Sequence, residues 1–148
     1  MNDFLNKLTM TFNYLIEKQP NIHPFLFLGK IEDITDKKCI NLLTLDENLW
    51  FFQCHWPNNP NMPAMLQLEA MSQTASLILF RQDDTLNYLY LAEVKNAFFR
   101  TEVKPNDTLT INADISMVNQ NMHTFKCKIK NQKGKIIANA KITLVKPK

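Results

Sequence analysis

The sequence predicts an α+β domain in which an antiparallel sheet curls around one long apolar helix, and three observations carry that expectation. From Pro63 to about Arg81 nearly every residue is apolar or small. A helix with no broad charged face has to be buried. Four strand-like segments follow one another in the second half, the last two joined by the turn-like Asn131-Gln132-Lys133-Gly134, and successive hairpins pair antiparallel. With one long helix to cover, a sheet folded about it is the economical design.

Taken in order, Leu5, Leu8, Phe12, Leu15 and Ile16 recur at helical spacing, with Asn2 or Asp3 as N-cap and Pro20 as stop. They predict an amphipathic helix on the outside of the domain. The stretches FLFLGKIEDI and KKCINLLTL, from Phe25 onward, read as two strands with polar breaks around Asp36 and Asp46. After a loop containing Pro57 and Pro60, the long helix opens on Pro63, a residue favoured at the first helical position. NYLYLAEVKNAFF, LTINADISMV, HTFKCKIK and KIIANAKITLV are then the four remaining strands. No repeat, low-complexity tract or linker divides the 148 residues, so one domain spanning residues 1–148 is expected.

Composition excludes several classes. A hydrophobic fraction of 45% and a charged fraction of 21% are those of an ordinary globular protein. The apolar runs, such as Leu77 to Phe80, are far short of the roughly 20 residues that cross a membrane. Asp3, Lys7, Asn13 and Glu17 interrupt any secretory h-region, so the cytoplasm is the default compartment. Three cysteines without a C-x-x-C pair indicate neither a disulfide framework nor a metal site. The net charge of +3 is mild, and basic residues are mixed with acids except near the C-terminal end. That argues against nucleic acid and leaves room for an acidic protein partner.

Glu69 and Gln73 stand four apart, on one face of the apolar helix, which makes Gln73 a candidate substrate-binding residue beside the carboxyl. A carboxyl there is either structural, bonded across a subunit contact, or chemical. Burial raises a carboxyl pKa and keeps a proton available for general-acid work. His55, in the preceding loop, is the complementary base, since an imidazole titrates near neutral pH. Pro57, Pro60 and Pro63 stiffen the backbone between them. An acid and a base across an apolar cavity are what elimination of water needs. The amides of Ala64 and Met65, at the helix N-terminus, point out of the first turn and are candidates to polarise a substrate carbonyl.

The stretch H-W-P-N-N-P-N-M-P-A-M-L-Q-L-E-A-M-S-Q, His55 to Gln73, resembles the signature of bacterial 3-hydroxyacyl-(acyl-carrier-protein) dehydratases of the hot-dog fold, the FabZ and FabA type, roughly H-F-P-G-x-P-x-M-P-G-V-L-x-x-E-A-M-A-Q. Pro24-Phe25-Leu26 is similar to the family's Y-P-F-L, Phe51-Phe52-Gln53 to its F-F-Q-G-H lead-in and Pro105-Asn106-Asp107 to its P-G-D. The resemblance implies a hot-dog homodimer with the site at the interface, where His55 of one protomer removes the C2 proton and Glu69 of the other protonates the C3 hydroxyl. It implies acyl carrier protein as the partner that brings the thioester, and no cofactor. Glu at the acid position, as in FabZ, favours simple dehydration over the isomerisation of the Asp-bearing FabA type.

Departures from the pattern bear on the substrate. The family's glycines at three places are Cys54, Asn58 and Ala64, and the basic R-F-K-R-P-V segment reads Phe98-Phe99-Arg100-Thr101-Glu102-Val103. Asn58 is the mildest change, because Asn tolerates left-handed backbone. Altered substrate shape, in fatty-acid or specialised polyketide or polyene synthesis, is the natural reading. Two alternatives remain: a non-catalytic hot-dog subunit that binds an acyl chain or completes a related partner, and a thioesterase. Cys54 is expected to be a small packing residue pointing away from His55, as neighbours in an extended segment do. His23 and His123 are expected at the surface or in caps, and Trp56, Phe51, Phe52, Phe98 and Phe99 in the core or, for some of them, lining an acyl tunnel.

Overall fold

A computed structural model describes residues 12–147. Residues 12–17 are helical (α1), and the Leu5 and Leu8 turns expected before them lie outside the described residues. Strands β1 (Lys30–Ile34) and β2 (Lys38–Thr44), a 3-10 turn (Trp50–Gln53) and helix α2 (Ala64–Gln82) come next. Strands β3 (Tyr90–Phe99), β4 (Thr108–Asn119), β5 (Met122–Lys130) and β6 (Ile136–Val145) complete the order. All five strand pairings are antiparallel, in the order β1-β2-β4-β5-β6-β3.

The expected design is present: α2 is buried from Leu66 to Phe80 except at Glu69, and lies against the inner face of the sheet. Along β5, Phe125, Cys127 and Ile129 are buried while Lys126, Lys128 and Lys130 are exposed, the period-2 alternation of a half-buried strand. Leu109, Ile111 and Ala113 of β4 and Ala138, Ala140 and Ile142 of β6 complete the surface against the helix. The hydroxyls of Ser72 and Thr74 bond back to the carbonyls of Leu68 and Ala70, so the polar residues of this buried helix leave no stranded donor.

The first strand begins later than the sequence predicts, at Lys30 and not Phe25, and the reason is non-local. The Phe27 amide donates to Gln73 Oε1 on α2 at 2.7 Å, and its carbonyl accepts from Asn41 Nδ2 on β2 at 3.1 Å. Side chains thus take the bonds a neighbouring strand would have made. Gly29 lets this segment cross β2 closely, since a Cβ there would stand 2.0 Å from the Leu42 carbonyl oxygen.

Three placements differ from the core predicted by sequence. Phe51 and Phe52 are buried, but Trp56, Phe98 and Phe99 are 56%, 55% and 39% exposed. Strand β3 pairs with β6 alone among the described residues, leaving its other edge open beside exposed Tyr90, Leu91 and Val94. An apolar edge strand of this kind is a ready-made pairing surface. His123 is buried, the reverse of the surface position expected, because β5 turns it inward in register with Phe125.

Candidate active site

His55 follows the 3-10 turn, and the local backbone holds it on both sides. Its amide donates to Phe51 O at 2.8 Å and its carbonyl accepts from the Asn61 amide at 2.9 Å. The ring Nδ1 lies 3.0 Å from the Asn61 carbonyl oxygen. A carbonyl can only accept, so Nδ1 carries a hydrogen, which leaves Nε2 as the ring nitrogen that can act as a base. The half-buried imidazole also stacks on Trp56, with centroids 4.8 Å apart. It lines a cavity of about 440 Å³ with Asn61, Ala64, Gln67, Phe99 and Arg100.

Ala64 and Met65 open α2 above that cavity. The Leu66 and Gln67 amides both reach the Pro63 carbonyl, and no side chain caps this end. The amides of Ala64 and Met65 have no backbone partner among the described residues. The Met65 side chain is 72% exposed and lines no part of the cavity, whereas Ala64 does. Gln67 donates to the Met62 carbonyl at 3.2 Å, and its buried Oε1 has no partner among the described residues.

Glu69 points elsewhere. It lines a second, smaller cavity of about 100 Å³ with Gln19, Asn21, Gln73, Leu91 and Leu144. Its Oε1 accepts from Gln73 Nε2 at 2.9 Å and Asn21 Nδ2 at 3.2 Å. The carboxyl is half-buried, where sequence predicted a dry setting, because this cavity opens beside the exposed start of β3. Gln73, a predicted substrate-binding residue, is almost fully buried and engaged within the chain. Besides Glu69 it bonds the Phe25 carbonyl at 2.9 Å and the Phe27 amide at 2.7 Å.

Within one chain, then, His55 and Ala64 share one cavity and Glu69 and Gln73 another. Asn21, Asn61 and Gln67 were not singled out from sequence; Asn21 meets Glu69 from 48 positions away, and no local pattern marks such a contact. Cys54 is exposed, with Sγ 3.6 Å from the Trp50 and Phe51 carbonyls, and lines neither cavity. It closes a turn and does not stand in an extended segment, which corrects the packing role expected for it. Asn58 makes no use of the left-handed backbone that Asn tolerates; among the described non-glycine residues Asn96, Asn106 and Gln120 have positive φ.

A family model for the FabA-like domain matches residues 19–141. The 3-hydroxyacyl-(acyl-carrier-protein) dehydratase FabZ of Lactobacillus helveticus is 31% identical over 132 residues, 86% of this chain and 87% of that protein. Its counterpart in Bartonella henselae is 34% identical over 137 residues, 90% of this chain and 88% of that protein. Among solved structures, the dehydratase heterocomplex ApeI:P from Xenorhabdus doucetiae aligns with a TM-score of 0.77 at 12% identity, covering 90% of this chain and 91% of that one. A hypothetical thioesterase with coenzyme A from Streptococcus pneumoniae aligns at 0.65 and 16% identity, covering 80% and 84%. At such identities the solved structures speak for the fold alone, and the fold is the hot-dog arrangement.

Proposed function

The chain belongs to the FabA-like domain family, and from that premise we propose that it dehydrates a 3-hydroxyacyl thioester on acyl carrier protein to the trans-2-enoyl thioester. His55 Nε2 takes the C2 proton, the C3–O bond breaks, and Glu69 delivers a proton to the departing hydroxyl, which leaves as water. The amides of Ala64 and Met65 receive the thioester carbonyl as negative charge develops on it. Glu at the acid position supports simple dehydration. Cys54, Asn58 and Ala64, where the family carries glycine, bear on the shape of the acyl chain, in fatty-acid or specialised polyketide synthesis.

One observation carries the reading: each half of the acid–base pair lines a cavity at a different part of β3. Leu91 borders the Glu69 cavity and Phe99 the His55 cavity. Two bulges interrupt β3 between them, and their partners on β6 are Leu144 and Ala138, so at about 3.3 Å per residue the two lie roughly 20 Å apart along the sheet. Antiparallel pairing of two β3 edges about Lys95 sets Leu91 of one protomer opposite Phe99 of the other. The Glu69 cavity of each chain then meets the His55 cavity of its partner, and the two half-sites become one whole site, twice. The same pairing covers the exposed apolar side chains of β3 and removes water from Glu69. A related hot-dog subunit with a matching edge is the heteromeric form of this arrangement.

The experiment is direct. Incubation with 3-hydroxyacyl thioesters of several chain lengths should yield enoyl product, and removing the general base with His55→Ala should cost on the order of 10² or more in rate. Wild type no faster than His55→Ala on every substrate would refute the proposal. Thioester hydrolysis is the second chemistry of this fold to be tested, and release of free thiol without enoyl product would establish it instead.

A further inference from the structure

The chain's charge is divided in a way the proposed chemistry does not use. Asp114 is the last acidic residue, and eight lysines follow it. The first 114 residues hold nine basic and fourteen acidic residues, a net charge of −5, in a chain whose total is +3. Folding gathers the late lysines on one surface. Lys126, Lys128 and Lys130 point outward from β5, opposite the buried Phe125, Cys127 and Ile129.

Register extends the row across the sheet. Lys126 stands opposite Lys141 on β6, and Lys141 opposite Lys95 on β3. Like charges directly opposite one another destabilise a sheet. Lys95 is relieved by Glu93 at 2.8 Å, and Asp114 stands opposite Lys126 on β4. Among the described residues Lys126, Lys128, Lys130 and Lys141 form no ion pair. Lys128 has only the neutral Asn112 and Asn139 beside it.

This surface is continuous with the His55 cavity. Asn139 accepts a hydrogen bond from the guanidinium of Arg100, which lines that cavity. The rim itself is not strongly positive, because Glu102 also lines it, paired with Lys104 at 2.7 Å. A second copy of the chain related by a two-fold axis would set lysines against lysines on this face. An acidic protein fits it, and the acidic protein with business at the cavity is the one that delivers the acyl group.

We propose that the outer face of β5 and β6, built from Lys126, Lys128, Lys130 and Lys141, is the docking surface for the acyl carrier protein. The inference rests on the dehydratase reading, and it locates the carrier on the sheet and not on the cavity rim. Opposed charge on the two surfaces steers encounter, so the face acts on association and leaves the chemical step untouched.

The test compares wild type with Lys126→Glu/Lys128→Glu/Lys130→Glu on 3-hydroxybutyryl acyl carrier protein and on 3-hydroxybutyryl-N-acetylcysteamine, which has no protein to dock. The expected result is a fall of about tenfold or more in kcat/KM for the carrier-bound substrate, mostly in KM, with loss of its salt dependence. Turnover of the small thioester should not change. Equal rates on the carrier-bound substrate, or equal losses on both substrates, would overturn the docking surface. Lys128→Glu alone replaces the triple variant should the latter fail to fold. Wild type inactive on both thioesters would instead refute the dehydratase reading. Calorimetric binding of purified holo acyl carrier protein then decides the surface: binding by wild type and not by the variant supports it, and absence of binding overturns it. Lysine-dependent binding of phosphatidylglycerol vesicles or duplex DNA, with none of the carrier protein, overturns it as well.

Discussion

Replacing Gln73 by leucine removes a bracket that ties three parts of the molecule together. The amide accepts from the buried Phe27 N–H and donates both to the Phe25 carbonyl and to Glu69 Oε1. Leucine fills a similar volume, so the change is mainly polar. At a net contribution of about 1 kcal/mol per hydrogen bond the loss is about 3 kcal/mol, with the stranded Phe27 amide pushing it upward. A chain of 148 residues unfolds with an entropy near 0.3 kcal/mol/K, so Tm should fall by about 10 °C. Scanning calorimetry measures this, and the thioester assay should show reduced kcat because Glu69 keeps only Asn21 to orient it. A Tm within about 1 °C of wild type would refute the reasoning, since it would mean that the 25–27 segment does not depend on α2.

Gly29→Ala should destabilise by about 1–3 kcal/mol, because its Cβ would stand 2.0 Å from the Leu42 oxygen, a backbone atom and not the end of a flexible side chain; an unchanged midpoint in urea would contradict this. Burial of His123, with the charge of Lys146 adding to it, holds its imidazole pKa below the ordinary 6.5. A group that resists protonation in the fold stabilises fully above its unfolded pKa, and that contribution is lost as pH falls below 6.5. His123→Phe should flatten the loss of urea stability measured across this range, and an identical slope would sink the explanation. Cys54→Ser should leave dehydration within about twofold of wild type, since Cys54 is exposed and lines neither cavity; a large loss would reopen a covalent role for the thiol.

What sequence made legible was local. The apolar run of α2 and the alternation along β4, β5 and β6 each advertise their period within a few residues, and the structure follows them. The spacing from His55 to Glu69 was readable because a stiff loop and the first turns of α2 carry both groups. What escaped was non-local. FLFLG looks like a strand until Gln73 and Asn41 take its backbone bonds from two other elements. The apolar residues of β3 read as core because an apolar edge strand carries the same sequence pattern as one buried within the chain. Asn21 and Asn61, which hold the two candidate catalytic groups through hydrogen bonds, have no sequence signal of their own. The separation of His55 and Glu69 into two cavities is a property of folding about one helix, invisible to any spacing rule.

Mixing His55→Ala with Glu69→Ala under subunit exchange tests the shared site most directly. Each variant alone should be inactive. A heterodimer carries one site with both residues intact and one with neither, so an equimolar mixture should recover about a quarter of wild-type activity. A mixture as inactive as the separate variants, with exchange confirmed by native mass spectrometry, would contradict a site built from His55 of one chain and Glu69 of the other.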